Sequence, residues 1–332
     1  MTFAERLQNA IASFEFTFKT AGKFYELSQS DLNKFQRYGY FRSLDDLVAK
    51  SVLWFLTKNI ALDYPIPMMP NMVSIGGLTV KRTIGQLPVE IKDFIDGAEK
   101  GVVLMTFGTM ASNMPASTVE KFSAAFRRLG GYRVIWRLNN QDKVELPDSV
   151  MTASWLPQQE ILAHPYVKLF ITHSGNNGQY EALYHGVPMI GFPMFGDQVN
   201  NAKRLDYKGY GLSMDLCDFT AEELVINIRK ILEDKTYKQR VVKASEIFRS
   251  QAQSPVEKAT FWIEHVCRFG GDHLRSAGND LPLYSYLVLD VLAVLLSTLL
   301  LALYVIFRLV KFLLRKCCIQ RTRATTSRKK TS

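Results

Sequence analysis

The chain reads Val167-Lys168-Leu169-Phe170-Ile171-Thr172 and continues directly into His173-Ser174-Gly175-Asn176-Asn177-Gly178. The first half is a short apolar run rich in β-branched and aromatic residues, which is typical of a buried strand. The second half supplies small, turn-forming residues, and the helical pattern of Asn177–His185 begins inside it. This stretch therefore predicts a strand that enters a helix through a tight, glycine-containing loop.

The same alternation of strand and helix extends on both sides of this stretch. Apolar, β-rich runs lie at Val102–Phe107, Tyr132–Leu138, Val187–Phe192 and, more weakly, Met151–Leu156 and Gly211–Leu216. Helical patterns lie at Ala116–Leu129, Gln158–Ala163, Asp197–Tyr207 and Ala221–Asp234, the last with Thr220 as candidate N-cap. Because the strands lack polar alternation and each is followed by a helix, they predict a parallel sheet covered on both faces. The fold class is therefore α/β, with a Rossmann-like domain.

Five segments are expected along the chain. Residues 1–60 carry helical patterns such as Ser43–Leu56 but are too few for a full domain. Residues 61–100 are predicted to form a linker and the start of the C-terminal domain, because they begin with the proline-rich stretch Asp63–Asn71, which suits an extended linker. The Rossmann-like domain is expected at residues 101–275. Residues 283–310 are predicted to form a transmembrane helix, and residues 311–332 a basic tail.

The transmembrane prediction rests on the unbroken apolar run Val291–Phe307, before which Asp290 is the nearest charge. About 20 such residues cross a hydrocarbon core. The run is apolar on all sides, unlike the one-sided helix of a soluble core. Nine cations and no acid follow from Arg308 onward, so the positive-inside rule places the tail in the cytosol. A single-pass, type I protein in contact with membrane lipid is expected, with its bulk in the lumen.

The two ends of the chain bear on its location. Lys329-Lys330-Thr331-Ser332 resembles the dilysine retrieval signal of endoplasmic-reticulum membrane proteins, with a solvated basic tail as the alternative. The first 20 residues do not resemble a signal peptide, because Glu5 and Arg6 occupy the place of its apolar segment. We therefore expect that residues are missing before Met1, the alternative being that the span itself targets the chain.

Length and composition exclude several classes of protein. A chain of 332 residues with 47% hydrophobic and 22% charged residues is typical of globular domains, not of disordered or collagen-like chains. The net charge of +10 comes almost entirely from the basic tail, so no nucleic-acid partner is expected. Four cysteines are too few for a disulfide framework or a zinc site, although the adjacent Cys317 and Cys318 suit palmitoylation or remain free thiols.

The loop after the quoted strand is a candidate binding site. In an open parallel sheet, ligands bind beyond the carboxyl ends of the strands, where His173–Gly178 is expected to lie. Backbone N–H groups and the positive end of the helix dipole favour an anion there, and His173 can donate to phosphate oxygens while Glu181 accepts from sugar hydroxyls. Such a loop is more often a plain strand-to-helix turn, and the sequence has neither GxGxxG nor a Walker lysine. Both interpretations stay open on these residues alone.

Several spaced blocks together carry a more specific signal. They are Phe107–Met110, Trp155–Gln159, Phe170–Gly175, Glu181, Gly186–Pro188 and Pro193–Gln198. In this order and spacing they resemble the signature of the UDP-glycosyltransferases, and they are most similar to the membrane-bound UDP-glucuronosyltransferases of animals. The resemblance covers the linker, the Rossmann-like domain, the span and the dilysine end, about the C-terminal three-fifths of such an enzyme.

The resemblance implies a GT-B fold whose C-terminal domain binds a UDP-sugar, with residues 1–60 as the remnant of an N-terminal acceptor domain. By position, Trp155 would stack on the uracil ring, Gln158 would help hold the uridine, and Glu181 would bind the ribose hydroxyls. The remaining implied contacts are His173 with the Thr109 loop at the diphosphate, Ser174, Gly175 and Asn177 around the phosphates, and Asp197 and Gln198 at the sugar hydroxyls. As isolated residues, Trp155 also suits a core, His173 a turn and Asp197 a helix cap.

The activity implied by the resemblance is inverting transfer of a sugar from UDP to a hydroxyl of a lipophilic acceptor. The family's catalytic histidine and its aspartate lie in the N-terminal domain, and all five histidines here lie in or after the nucleotide domain. No catalytic residue is therefore expected in this chain. No metal is expected either, since no Asp-x-Asp motif lies near the loop, and the UDP-sugar is a co-substrate, not a cofactor.

Three hypotheses follow. The first is a microsomal glycosyltransferase represented by a truncated chain. The second is an inactive short form that binds UDP-sugar or joins full-length subunits in a homo- or hetero-oligomer. The third, more distant, is a single-span membrane protein with a coincidental Rossmann-like domain. The sequence leaves open whether the sugar is glucuronic acid, glucose, xylose or N-acetylglucosamine.

Overall fold

The computed structural model describes residues 3–15, 50–108, 114–139 and 144–328. The strands in these ranges are β1 (Trp54–Leu56), β2 (Met72–Ser74), β3 (Gly101–Thr106), β4 (Tyr132–Arg137), β5 (Val150–Ala153), β6 (Val167–Thr172), β7 (Met189–Gly191) and β8 (Gly211–Ser213). The helices are α1 (Phe3–Glu15), α2 (Val89–Asp96), α3 (Ala116–Phe126), α4 (Gln158–Leu162), α5 (Asn176–Tyr184), α6 (Gln198–Lys208), α7 (Ala221–Glu233), α8 (Lys235–Arg249), α9 (Pro255–Phe269), α10 (Leu283–Tyr286) and α11 (Leu289–Arg328).

Strands β3 to β8 form one six-stranded parallel sheet with the order β5-β4-β3-β6-β7-β8. The register pairs Leu104 of β3 with Phe170 of β6. The chain builds outward from β3 to β5, crosses back to place β6 beside β3, and then builds outward in the opposite direction. Strand order therefore reverses between β3 and β6, and this is where a parallel sheet opens a crevice beyond its carboxyl edge.

Both faces of this sheet are buried, as the uninterrupted apolar strands predicted. On one face, Val103 and Met105 of β3 join a core with Phe122 of α3. On the other face, Val102 and Leu104 join a second core. Successive side chains of a strand point to opposite faces of the sheet. In a strand covered on both faces every side chain is therefore buried, and the sequence is apolar throughout.

The predicted helices lie where expected, with boundaries shifted by a few residues. Thr220 caps α7 in a capping box with Glu223, which confirms the predicted N-cap. Helices α2, α8 and α9 were missed. Asp234 caps α8 and Ser254 caps α9, so local signals for two of them were present in the sequence.

The compact unit that contains the sheet spans Val52–Gly271, so residues 61–100 belong to the same unit as the sheet. The helical prediction for Ser43–Leu56 is wrong at its end, because β1 is a strand paired in parallel with β2, while residues 43–49 lie outside the described ranges. Residues 64–70 are exposed, as a linker would be, but Asp63 and Asn71 at their two ends are buried.

The second unit comprises residues 1–51 and 272–332. Within it, α11 carries one apolar stretch long enough to cross a membrane, Leu289–Leu313, with a mean hydropathy of 2.5 and no burial inside the protein. Val288 has a left-handed backbone with φ of 58°, and it separates this helix from α10. The apolar stretch therefore starts at Leu289, whereas the sequence placed the start of the span at Leu283.

Candidate functional site

Two adjoining clefts lie at the carboxyl edge of the sheet, where the connections after β3 and β6 lead in opposite directions. The loop cleft, about 480 Å³, is lined by the loops after β3 and β6 and by the start of α6. The tryptophan cleft, about 470 Å³, is lined by Arg137 and by the segment from Trp155 to Glu160. Gly108, Gln158 and Glu181 line both clefts. An elongated ligand can therefore extend from one cleft into the other across these three residues.

The imidazole of His173 lies between two glycines in the loop cleft. A Cβ at Gly108, whose φ is +73°, would lie 2.9 Å from Cε1 of His173, and a Cβ at Gly175 would overlap the same ring. Burial lowers the pKa of His173, although the carboxylate of Asp197 acts in the opposite direction. A neutral imidazole donates one hydrogen bond, which fits a contact with a phosphate oxygen.

Ser174 turns its side chain away from the cleft. Its φ is 65°, a left-handed conformation that favours glycine. The residue is fully buried, its Oγ lies against Gly191, and this Oγ has no hydrogen-bond partner among the described residues. The side chain of Ser174 therefore does not line the cleft, and its carbonyl accepts from Nδ2 of Asn201 at 3.1 Å.

Helix α5 begins at the floor of the loop cleft. Gly175 is its N-cap, and no side chain caps the helix. Asn176, Asn177 and Gly178 of the first turn line the cleft. First-turn N–H groups have no partner within a helix, and the helix dipole adds positive potential, so this end favours an anionic group.

A buried carboxyl group stands between the two clefts. Glu181 is 7% exposed, and Nε2 of Gln158 donates to it at 2.6 Å. The Oγ1 of Thr106 donates in turn to the Oε1 of Gln158 at 3.0 Å. Burial raises the pKa of Glu181 to about 7, against the opposing effect of the hydrogen bond from Gln158. Glu181 and Gln158 thus form one unit, held by Thr106 at the end of β3, that can accept hydrogen bonds from hydroxyl groups.

Trp155 is not a core residue, because it is 69% exposed at the mouth of the tryptophan cleft. The guanidinium of Arg137 lies 4.9 Å from the ring centroid, and its Nε donates to the carbonyl of Ser154 at 3.0 Å. The cation therefore supports the indole ring, and the exposed ring offers a stacking surface for a planar group.

The sugar-hydroxyl residues implied by the resemblance lie at the start of α6. Asp197 is exposed, and its carboxylate accepts from Nδ2 of Asn201 at 2.7 Å and makes no capping bond. Gln198 is buried, and its Oε1 accepts from the N–H groups of Met194 at 2.8 Å and Phe195 at 3.2 Å. Gln198 can therefore offer a ligand its amide NH₂ group, while Asp197 offers an acceptor.

Nine of the ten predicted binding residues lie in the described ranges, and eight of these nine line the two clefts. Thr109 lies outside the described ranges. Sequence reasoning missed Thr57, which lines the loop cleft although it precedes the Rossmann-like domain, and also Lys81 and Arg137 of the tryptophan cleft. No local motif marks Thr57. Within the described ranges, no three His, Cys, Asp or Glu side chains group closely enough to hold a metal ion, so the absence of a metal requirement stays a prediction.

A family profile described as "UDP-glucoronosyl and UDP-glucosyl transferase" matches residues 1–324. The chain belongs to this family. It is 34% identical to UDP-glucuronosyltransferase 1A6 of Mus musculus over 321 residues, which are 96% of this chain and 59% of that protein. It is 37% identical to UDP-glucosyltransferase 2 of Dactylopius coccus over 281 residues, 83% of this chain and 54% of that protein. The chain thus spans little more than half the length of these two relatives.

Solved structures share the fold. The glycotransferase of kitacinnamycin matches with a TM-score of 0.58 and 20% identity, covering 79% of this chain and 66% of that one. A variant of Os79 from O. sativa in complex with UDP matches with a TM-score of 0.51 and 20% identity, covering 59% of this chain and 50% of that one. The structural neighbours have the GT-B fold, so the expected GT-B type of α/β fold is confirmed.

Proposed function

We propose that the two clefts bind the UDP-sugar donor of a glycosyltransferase, with the uracil ring on Trp155 and the diphosphate at the His173 loop. One observation carries this assignment. The exposed ring of Trp155 lines one cleft, the anion-favouring start of α5 lines the other, and the two clefts meet at Glu181. A nucleoside diphosphate has the same order of parts, with a planar base, a diol and an anion. The ribose then lies at Glu181 and the sugar at Asp197 and Gln198.

In the proposed reaction, an acceptor hydroxyl attacks the anomeric carbon of the sugar from the side opposite UDP. The new oxygen–carbon bond forms, the bond from the anomeric carbon to the diphosphate oxygen breaks, and UDP leaves with the electron pair. The first turn of α5 and the imidazole N–H of His173 stabilise the negative charge that develops on the diphosphate. A general base takes the acceptor proton, and the family resemblance places that base in an N-terminal acceptor domain.

The donor assignment is tested by titrating UDP into the full chain in detergent micelles by calorimetry. Trp155→Ala removes the stacking surface and should weaken binding by about 1–3 kcal/mol. Glu181→Ala should weaken it as well. Trp262→Ala, the same substitution on α9 away from both clefts, is the control and should bind like the wild type. Undiminished UDP affinity in both cleft variants would remove the assignment.

The sugar and the acceptor are proposed from the relatives. Glucuronic acid is the first candidate, because two UDP-glucuronosyltransferases match 96% and 99% of this chain. Glucose is the second candidate, from the UDP-glucosyltransferase of Dactylopius coccus. A lipophilic hydroxyl compound is the proposed acceptor. Competition of each UDP-sugar against bound UDP ranks the donors. If UDP-glucose displaces UDP more strongly than UDP-glucuronic acid does, glucose replaces glucuronic acid as the proposed sugar.

Catalysis is expected to need residues beyond this chain. The 332-residue chain alone should form no measurable product from UDP-sugars and a phenolic acceptor, whereas fusion to a family N-terminal domain should give turnover. Positioning and base catalysis are each worth several orders of magnitude, so a bound donor alone is insufficient. Turnover by the unmodified chain would place the base within it, and His173→Asn would then be the first variant to measure.

The protein is further proposed to reside in the endoplasmic-reticulum membrane with its tail in the cytosol. The apolar stretch Leu289–Leu313 and the basic residues after it support this placement. Changing Lys329 and Lys330 to Ser should release the protein from the reticulum in cell imaging. The control changes Arg321 and Arg323 to Ser, which removes the same charge from the same tail. Retention of the lysine variant would remove the dilysine proposal and leave the membrane span unaffected.

A further inference from the structure

A buried guanidinium beneath the loop cleft has no place in the donor contacts described so far. Arg204 of α6 is 5% exposed, and its Nη1 donates to the Oδ1 of Asp63. Burying an ion pair costs solvation of both charges, and further hydrogen bonds of the two groups offset part of that cost. On Arg204 these bonds come from the Nη atoms, because its Nε has no hydrogen-bond partner among the described residues. The partners of Arg204 and Asp63 therefore show what this pair holds in place.

On the Asp63 side, the partners fix the loop from Asn59 to Asp63. The Oδ2 of Asp63 accepts from the hydroxyl of Tyr180 and from the N–H of Asn59, the latter at 2.8 Å. Lys208 donates to the Asp63 carbonyl at 2.9 Å, and the Tyr210 hydroxyl donates to the carbonyl of Ala61, also at 2.9 Å. The loop is thus attached to α5 and α6 by side chains and not by its own secondary structure.

On the other side, Arg204 reaches the first turn of α5. Its Nη2 donates to the Oδ1 of Asn176 at 3.1 Å and to the Oε1 of Gln179 at 2.7 Å. The Nδ2 of Asn176 donates to the carbonyl of Thr57 at 3.1 Å. Asn176 and Thr57 both line the loop cleft, whereas Arg204 does not. The guanidinium of Arg204 therefore orients the side-chain amide of Asn176. This amide connects the start of α5 to Thr57 on the other side of the cleft.

We propose that Arg204 is a positioning residue for the donor site, which sets the first turn of α5 and the Thr57 segment at the spacing that a diphosphate requires. The two Nη atoms of its planar guanidinium fork serve Asp63 and the two amides at once. A lysine ammonium is a compact charge on a flexible stem, so it can keep the contact with Asp63 but cannot reproduce the fork. The inference rests on the proposed function only in naming UDP as the ligand.

A double-mutant cycle on UDP affinity tests whether Arg204 acts through Asn176. Arg204→Lys should weaken UDP binding by about 10-fold in the wild-type background and by less than about 3-fold in the Asn176→Ala background, because residues in one hydrogen-bond network are not additive. Arg240→Lys, the same substitution on the exposed side of α8, is the matched control. Equal losses in both backgrounds would mean that Arg204 supports the fold alone, and would overturn the proposal.

A second variant separates positioning from folding. Asp63→Leu combined with Arg204→Met removes both charges, so no buried charge is left unpaired and the fold is expected to persist. Asn176 still loses its donor, so UDP binding should remain about 10-fold weaker at a melting temperature near that of the wild type. Wild-type UDP affinity in this folded double variant would also overturn the proposal.

Hydrogen exchange on the chain without ligand provides a readout that needs no UDP. Arg204→Lys should speed exchange of the amides of residues 176–180 and 57–63 more than those of α7, which lies away from the network. If the wild type fails to bind UDP, the proposed function fails, and this comparison still decides whether Arg204 positions the two segments. Uniform acceleration across all three regions would show a general loss of stability instead.

Discussion

The buried carboxyl of Glu181 should make the protein less stable as the pH rises. Its pKa is raised from 4.5 to about 7 by burial, so the folded state favours the neutral form. A rise of this size corresponds to about 3 kcal/mol of differential stability. Because the folded pKa lies above the unfolded one, this stability is fully present below pH 4.5 and is lost as the pH rises through 7.

Glu181→Gln tests this reasoning with little change of shape. A glutamine can still accept the hydrogen bond from Gln158, but it does not ionise. About 2 kcal/mol of this stability is lost between pH 5.5 and pH 8. For a compact unit of this size, that loss corresponds to a decrease of about 4–8 °C in melting temperature. The melting temperature of the variant minus that of the wild type should therefore grow by about 4–8 °C over this interval.

The measurement is thermal unfolding of the full chain in detergent at both pH values, with Glu257→Gln as control. The backbone N–H and the hydroxyl of Ser254 donate to the Glu257 carboxylate and lower its pKa. Glu257 is therefore ionised in both states throughout the interval, and its variant should differ from the wild type by a constant amount. A constant difference for Glu181→Gln as well would refute the claim that this carboxyl is neutral in the fold.

Three further substitutions test the loops and caps that hold the site. Gly108→Ala should weaken UDP binding at least 10-fold, because the new Cβ would lie 2.9 Å from the His173 ring and the backbone φ is +73°. Wild-type affinity of this variant in calorimetry would contradict the close packing of Gly108 against His173. Ser174→Gly should raise the free energy of unfolding by about 1 kcal/mol, measured by thermal unfolding. It relieves the strain of a left-handed backbone and removes a buried hydroxyl that has no partner among the described residues. A destabilised variant would show that the Oγ is satisfied. Thr220→Ala should cost about 1 kcal/mol through loss of the α7 capping box, while UDP affinity stays unchanged.

The order of strands β3 to β8 and helices α3 to α7, the chemical character of the loops and the apolar span could all be predicted from the sequence. Each is a local property. Strands covered on both faces read as apolar runs, Thr220 marks a helix start, and the His173–Gly178 loop carries small residues wherever the chain places it. The blocks that resemble the family signature identified the cleft residues because their spacing along the chain fixes which strand ends they follow.

Local pattern could not show which residues meet across the fold. Thr57 lines the loop cleft from a segment that the sequence assigned to another domain, and Asp63 binds Arg204 at a separation of 141 residues. Ser174 and Asn177 share one loop and the same polar character, yet one side chain faces the core and the other the cleft. The residues next to a position in the sequence influence its backbone conformation. Which residue its side chain contacts depends on which distant segment of the chain packs against it. For that reason the sequence predicts the type of site, while the hydrogen bond from Gln158 to Glu181 and the Arg204 network beneath the loop cleft were decided only by the tertiary structure.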